Sequence, residues 1–148
     1  RAIDTMCQLN DIGAKLALID GVNAITDVTG FGLGGHLSEV CLGSNVAASI
    51  DYSKVPILPN VEDYLANGCS PGGAQRNFDS YGHHLSKMSS GVQSIICDPQ
   101  TSGGLLVMVS ESAEEEFNTL MSSAGFELES IGEITKHNSE QPIVSING

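Results

Sequence analysis

At 148 residues the chain is sized for one domain with a real core, and 41% hydrophobic content excludes a disordered segment. Eighteen acids against six Lys and Arg leave a net charge of −12, which excludes the basic footprint of a nucleic-acid partner. A phosphate ligand would have to be held by metal ions, backbone amides or another domain. No apolar run approaches the roughly 20 residues of a membrane span, and the opening RAIDTMCQLN has no signal-peptide core. A cytoplasmic chain without a membrane partner is expected. It does not begin with Met, and a fragment of a longer protein is expected.

Ile3, Met6, Leu9, Ile12, Leu16 and Ile19 recur every three or four residues, which predicts a helix over 3–19 stopped by Gly21. A strand over 22–28 follows, then a helix over 33–42 with Gly43 as its C-cap glycine. Residues 46–50 read as a strand. From Asp51 to Gln75 the chain is rich in Pro, Gly, Asn and Ser and reads as a long surface excursion, with one helical stretch at 61–66. A helix is expected over 80–88, an apolar strand over 105–109 and an amphipathic helix over 113–124. Glu114, Glu115 and Glu116 suit that helix's N-terminal dipole. Closing strands are expected over 127–134 and 143–146, and there are no internal repeats. Strands and helices are mixed without strict alternation, so the expected fold is α+β: one mixed sheet with helices packed on it, in one domain over 1–148. The apolar faces at 3–19, 105–109 and 113–124 are expected to form one continuous core that folds on its own.

Cys7, Cys41, Cys69 and Cys97 are widely spaced and contain no CxxC pair, so free thiols are expected rather than a zinc site. His83-His84 is a poor metal pair, because adjacent side chains on a regular element point apart.

Two stretches carry chemistry. In AITDVTGFGLGGHL an acid, Asp27, ends a strand and is followed by Thr29, Gly30, Gly32, Gly34 and Gly35 at a helix entrance. Glycines let backbone approach a ligand, helix N–H groups and dipole favour an anion, and an acid can hold a hard cation. Together these could bind a metal–phosphate unit, and Thr29 and Gly30 are the candidate phosphate-side residues. Gly30, Gly32 and Gly35, with Asp51 at the end of the next strand, also come close to a dinucleotide-binding fingerprint. Against that, a complete helix precedes the strand and a Pro-rich loop follows Asp51. A tight turn with close helix–strand packing explains the same glycines. The second stretch, CDPQTSGGLL over 97–106, sets turn formers hard against the apolar LLVMV.

Together with PGGAQRNF between them, these stretches resemble the C-terminal domain of selenophosphate synthetases (selenide, water dikinases), and the resemblance covers essentially the whole chain. Their superfamily also includes aminoimidazole ribonucleotide synthetase and thiamine-monophosphate kinase, with this half as a mixed α/β layer domain. The resemblance implies an enzyme that makes selenophosphate from selenide, ATP and water, releasing AMP and phosphate. It implies that a reactive Cys or selenocysteine, its neighbouring Lys and most metal-binding acids lie in an N-terminal domain outside this chain. One metal-binding acid maps here, Asp27, as a Mg2+ ligand; no catalytic residue does. The full-length protein is expected to be a homodimer through the other domain, and this chain alone a monomer without activity. Pro99, Gly103 and Gly104 are expected to shape the second loop, with Gln100, Thr101 and Ser102 satisfying backbone groups. Cys97 is expected to be a small buried hydrophobe. Arg76 and Asn77, in a loop, could reach nucleotide or the partner domain. The alternative is a stand-alone nucleotide- or protein-binding module, or a domain of another ATP-using member of the superfamily.

Overall fold

The computed structural model describes residues 2–148. Short helices α1 (Ala2–Met6) and α2 (Gly13–Leu16) lead into strand β1 (Val22–Asp27), helix α3 (Gly32–Ser44) and strand β2 (Val46–Asp51). Three helices follow, α4 (Val61–Ala66), α5 (Gly72–Tyr81) and α6 (Ser90–Ile96), then β3 (Leu105–Val109), α7 (Glu114–Ser123), β4 (Gly132–Lys136) and β5 (Val144–Asn147). The expected mixed sheet has three strands: β2 at its centre runs antiparallel to β4 and parallel to β5. The other two strands form a separate antiparallel ribbon, β1 with β3.

The ribbon divides the interior, so the expected single core is two clusters. Leu106 and Met108 of β3 face a cluster with Leu37, Cys41, Ile50, Ile96 and Val144. Leu105, Val107 and Val109 face a second cluster with Leu16, Ile19, Ala113 and Met121. A strand covered on both faces has no polar face to alternate with, which is why LLVMV is apolar throughout. On β1, Val22 joins the second cluster and Ala24 the first. Residues two apart normally share a face, and a register shift between them reverses it.

The helix expected over 3–19 is broken. Residues 8–12 interrupt it, and the Asn10 side chain donates to the Gly103 carbonyl (3.0 Å), which anchors this segment to the turn before β3. Leu16 and Ile19 are buried, whereas Ile3, Leu9 and Leu18 are 70%, 76% and 85% exposed. Helix α3 runs past Gly43 and is stopped by Asn45, which takes the left-handed conformation (φ 54°). The segment PGGAQRNF is helix rather than loop. Pro71 precedes its first turn, and Ala74, Phe78 and Tyr81 place an apolar face on α3 and α6. A 3₁₀ turn at Gly82–His84 then replaces the helix expected over 80–88, and Leu85 bridges Val144 as an outlying parallel partner. Helix α6 begins at Ser89, whose hydroxyl accepts from the Val92 N–H (3.3 Å). The closing strands sit at 132–136 and 144–147, the first displaced toward the C-terminus from its expected place.

Candidate functional site

The two chemically rich stretches are neighbours. The β1–β3 ribbon sets Asp27 opposite Leu105, and past its end the chains stay backbone to backbone. Val28 N–H donates to the Gly104 carbonyl (3.0 Å), and Gln100 N–H donates to the Thr29 carbonyl (3.0 Å). A Cβ at Gly103 would lie 2.0 Å from the Val28 oxygen, so no side chain fits there. Gly32 has φ +70°, and a Cβ there would lie 2.7 Å from the Asp98 oxygen.

Side chains from α5 lock this junction. The Asn77 amide donates to the Gly30 carbonyl (2.9 Å) and to the Cys97 carbonyl (3.0 Å), stitching one loop to the other. The Tyr81 hydroxyl donates to the Phe31 carbonyl. Burial, with the Cys97 thiol alongside, pushes that phenol well above its usual range, so it stays a donor. Pro99 packs over Gly73. So many turn formers precede a buried strand because the loop is a docking face for another loop, where polar backbone must be satisfied at close range.

The amide N–H groups of Asn77 thus hold the two loops together. Arg76 is exposed on the same helix. Cys97 is fully buried, burial pushes its thiol up, and it acts as a small hydrophobe; Cys41 behaves alike. Cys7 and Cys69 are exposed free thiols. The dinucleotide reading fails: β1 and β2 lie in different sheets, so they form no parallel strand–helix–strand unit with α3, and Asp51 instead accepts from Ser53 N–H and Oγ–H (3.1 and 2.6 Å). The ring centroids of His83 and His84 lie 3.9 Å apart with the rings tilted by 45°, against the expectation that they diverge, because a 3₁₀ turn carries them. Burial and its neighbour hold His84 below the usual imidazole range.

What remains on the rim is small. Asp27 is exposed at the end of β1, and its carboxylate has no hydrogen bond or ion pair with the described residues. Gly30 is exposed, lacks a positive φ, and a Cβ there would meet nothing within 4 Å, so nothing among the described residues requires a glycine. Thr29 lies between them, its hydroxyl 3.1 Å from His36 Nε2. Asp98 is half-buried: burial pushes its carboxyl up, and the bond from Gln100 Nε2 (2.7 Å) offsets this in part. Among the described residues no three His, Cys, Asp or Glu side chains converge on one metal position. The donors at Asp27 and Thr29 are hard oxygens of the kind Mg2+ prefers, too few to hold it without waters and other ligands.

Sequence reading missed His36, the locking role of Asn77, and Tyr81. The last two had a signal: Ala74, Asn77, Phe78 and Tyr81 recur at helical spacing, so one face of a helix was legible there.

The chain is similar to known proteins over almost its whole length. A family model described as AIR synthase related protein, C-terminal domain, matches residues 2–145. The selenide, water dikinase of Yersinia pseudotuberculosis is 54% identical over 145 residues, 98% of this chain and 42% of that protein. That of Photorhabdus laumondii is 50% identical over 146 residues, 99% of this chain and again 42% of the relative. The chain thus spans about two fifths of the length of these curated relatives. Among solved structures, the thiamine-monophosphate kinase of Stenotrophomonas maltophilia superposes with a TM-score of 0.54 at 18% identity, over 86% of this chain and 32% of the other. At that identity the likeness is one of fold.

Proposed function

We propose, from the premise that this chain belongs to the AIR synthase related protein family as its C-terminal domain, that it is the C-terminal half of a two-domain selenophosphate synthetase. The full enzyme would make selenophosphate from selenide, ATP and water, with release of AMP and phosphate. The relatives' names and the 42% coverage support this reading. So do the exposed apolar side chains of the first segment, Ile3, Leu9 and Leu18, which a preceding N-terminal domain would cover.

One observation carries the site assignment. Asp27 has a carboxylate with no hydrogen bond or ion pair to the described residues, held at the edge of a junction that Asn77 and Tyr81 lock. Asp27 would hold Mg2+ carried by the ATP phosphates, and Gly30 would let the phosphates approach backbone. Bound Mg2+ would supply charge neutralisation, needed where a polyanion meets a chain of net charge −12. This domain's own part is to present that carboxylate and the glycine turn rigidly. The nucleophile would come from the N-terminal domain, which would also make the homodimer, leaving this chain alone monomeric. Among the described residues no helix is long and apolar enough to cross a membrane.

The test is AMP release with ATP, Mg2+ and selenide. The full-length protein is expected to turn over and this chain alone to give no more than a no-protein control. Turnover by the isolated chain, or none by the full-length protein, would contradict the reading.

A further inference from the structure

The hydrogen bond between Thr29 and His36 has a direction, and the direction decides what Thr29 can bind. His36 lies on the first turns of α3, 8% exposed, with the Phe31 ring 5.8 Å from its own. Nε2 is 3.1 Å from Thr29 Oγ1, and Nδ1 faces a Glu39 carboxylate oxygen at 3.9 Å. A neutral imidazole carries one proton, and whichever nitrogen lacks it can only accept. The Glu39 contact is too long for a hydrogen bond but close enough for its charge to favour the proton on Nδ1. Nε2 then presents a lone pair, and the Thr29 hydroxyl donates inward to it. That leaves the oxygen lone pairs of Thr29 turned away from His36. The opposite tautomer would free the hydroxyl proton, making Thr29 a donor suited to a phosphate instead.

We propose that Thr29 is a second oxygen ligand, beside Asp27, for the divalent cation, and that His36 is the positioning residue that turns its lone pairs outward. This rests on Asp27 being a cation ligand. Mg2+ takes six oxygens and fills vacant positions with water, so a neutral hydroxyl two residues from the carboxylate replaces one water without adding charge.

Two measurements on the chain decide it. Long-range proton–nitrogen NMR of neutral His36 reads the tautomer: the proton belongs on Nδ1, and a proton on Nε2 overturns the proposal. Mn2+, a paramagnetic stand-in with the same taste for oxygen, is expected to broaden the amide signals of residues 27–30, and Asp27→Asn to abolish this. Thr29→Val, which swaps the hydroxyl for a methyl, is expected to weaken Mn2+ about fivefold, the scale of one modest polar interaction; Thr29→Ser should restore it. His36→Ala should weaken it likewise, and His36→Gln, whose amide oxygen can accept the same bond, should not. Broadening that Thr29→Val leaves unchanged removes Thr29 and spares Asp27. Absence of broadening around Asp27 at millimolar Mn2+ removes both.

Discussion

Asp27 and Asp98 are the same residue type, one in each of the two docked loops, and the fold treats them oppositely. Asp98 is drawn into the junction: half-buried, bonded by Gln100, and with its carboxyl pushed up by burial. Asp27, at the end of β1, is left exposed, its carboxylate without a hydrogen bond or ion pair among the described residues. The difference follows from the backbone. Close approach of Gly32 to the Asp98 carbonyl pins residues 97–98 inside, whereas β1 ends at Asp27 and its side chain stays outside the packed turn. An acid that the fold uses has its energetics tied to stability; an acid that the fold leaves alone is available for chemistry.

The largest effect that would break this comparison is on the junction itself. Gly103→Ala forces a Cβ against the Val28 oxygen, where backbone must move rather than a flexible side chain. Overpacking of this kind costs about 3 kcal/mol, on the order of 10 °C in a domain of this size. A thermal melt within a degree or two of wild type would mean that the loops are not docked as described.

Much of this architecture was legible in sequence, and the misses share a cause. Strand 105–109 and helix 61–66 stand where expected, because a run of five apolar residues and a short amphipathic stretch are local signals. The mixed α/β layers and the importance of the two glycine-rich loops were legible too. The breaks in residues 3–19 were not, since apolar spacing persists through Asn10 to Gly13 while a distant carbonyl on Gly103 captures the asparagine. Helix α5 was hidden because Pro71, Gly72 and Gly73 look like a loop, although Pro before a first turn and glycine against Pro99 are compatible with a helix start. Two clusters in place of one core follow from the ribbon's having two covered faces, a tertiary fact that no single strand announces. At the candidate site, the motif places Asp27 at a strand end before a helix entrance, as the structure does. The locks Asn77 and Tyr81 act through carbonyls 47 and 50 residues away in sequence.

A smaller effect separates the two acids by pH. Because burial raises the Asp98 pKa in the folded state, its ionised form costs stability. The penalty grows as pH rises from the ordinary carboxylate range through the raised value and is absent below it. Asp98→Asn removes the penalty while an amide oxygen can still accept from Gln100. The variant should melt above wild type at neutral pH, and the gap should shrink toward about pH 4, near the usual Asp value. A gap independent of pH would show that the carboxyl is not strained by burial.

The proposed site requires Asp27 to be free of structural duty and needed for chemistry. The measurement that tests this most directly is AMP release by the full-length protein carrying Asp27→Asn, with its melting temperature taken beside it. Loss of a metal-binding carboxylate at a phosphoryl-transfer site should lower turnover about a hundredfold or more, while an exposed substitution should leave melting within a few degrees. Turnover near wild type, or a variant that melts far lower, would contradict it.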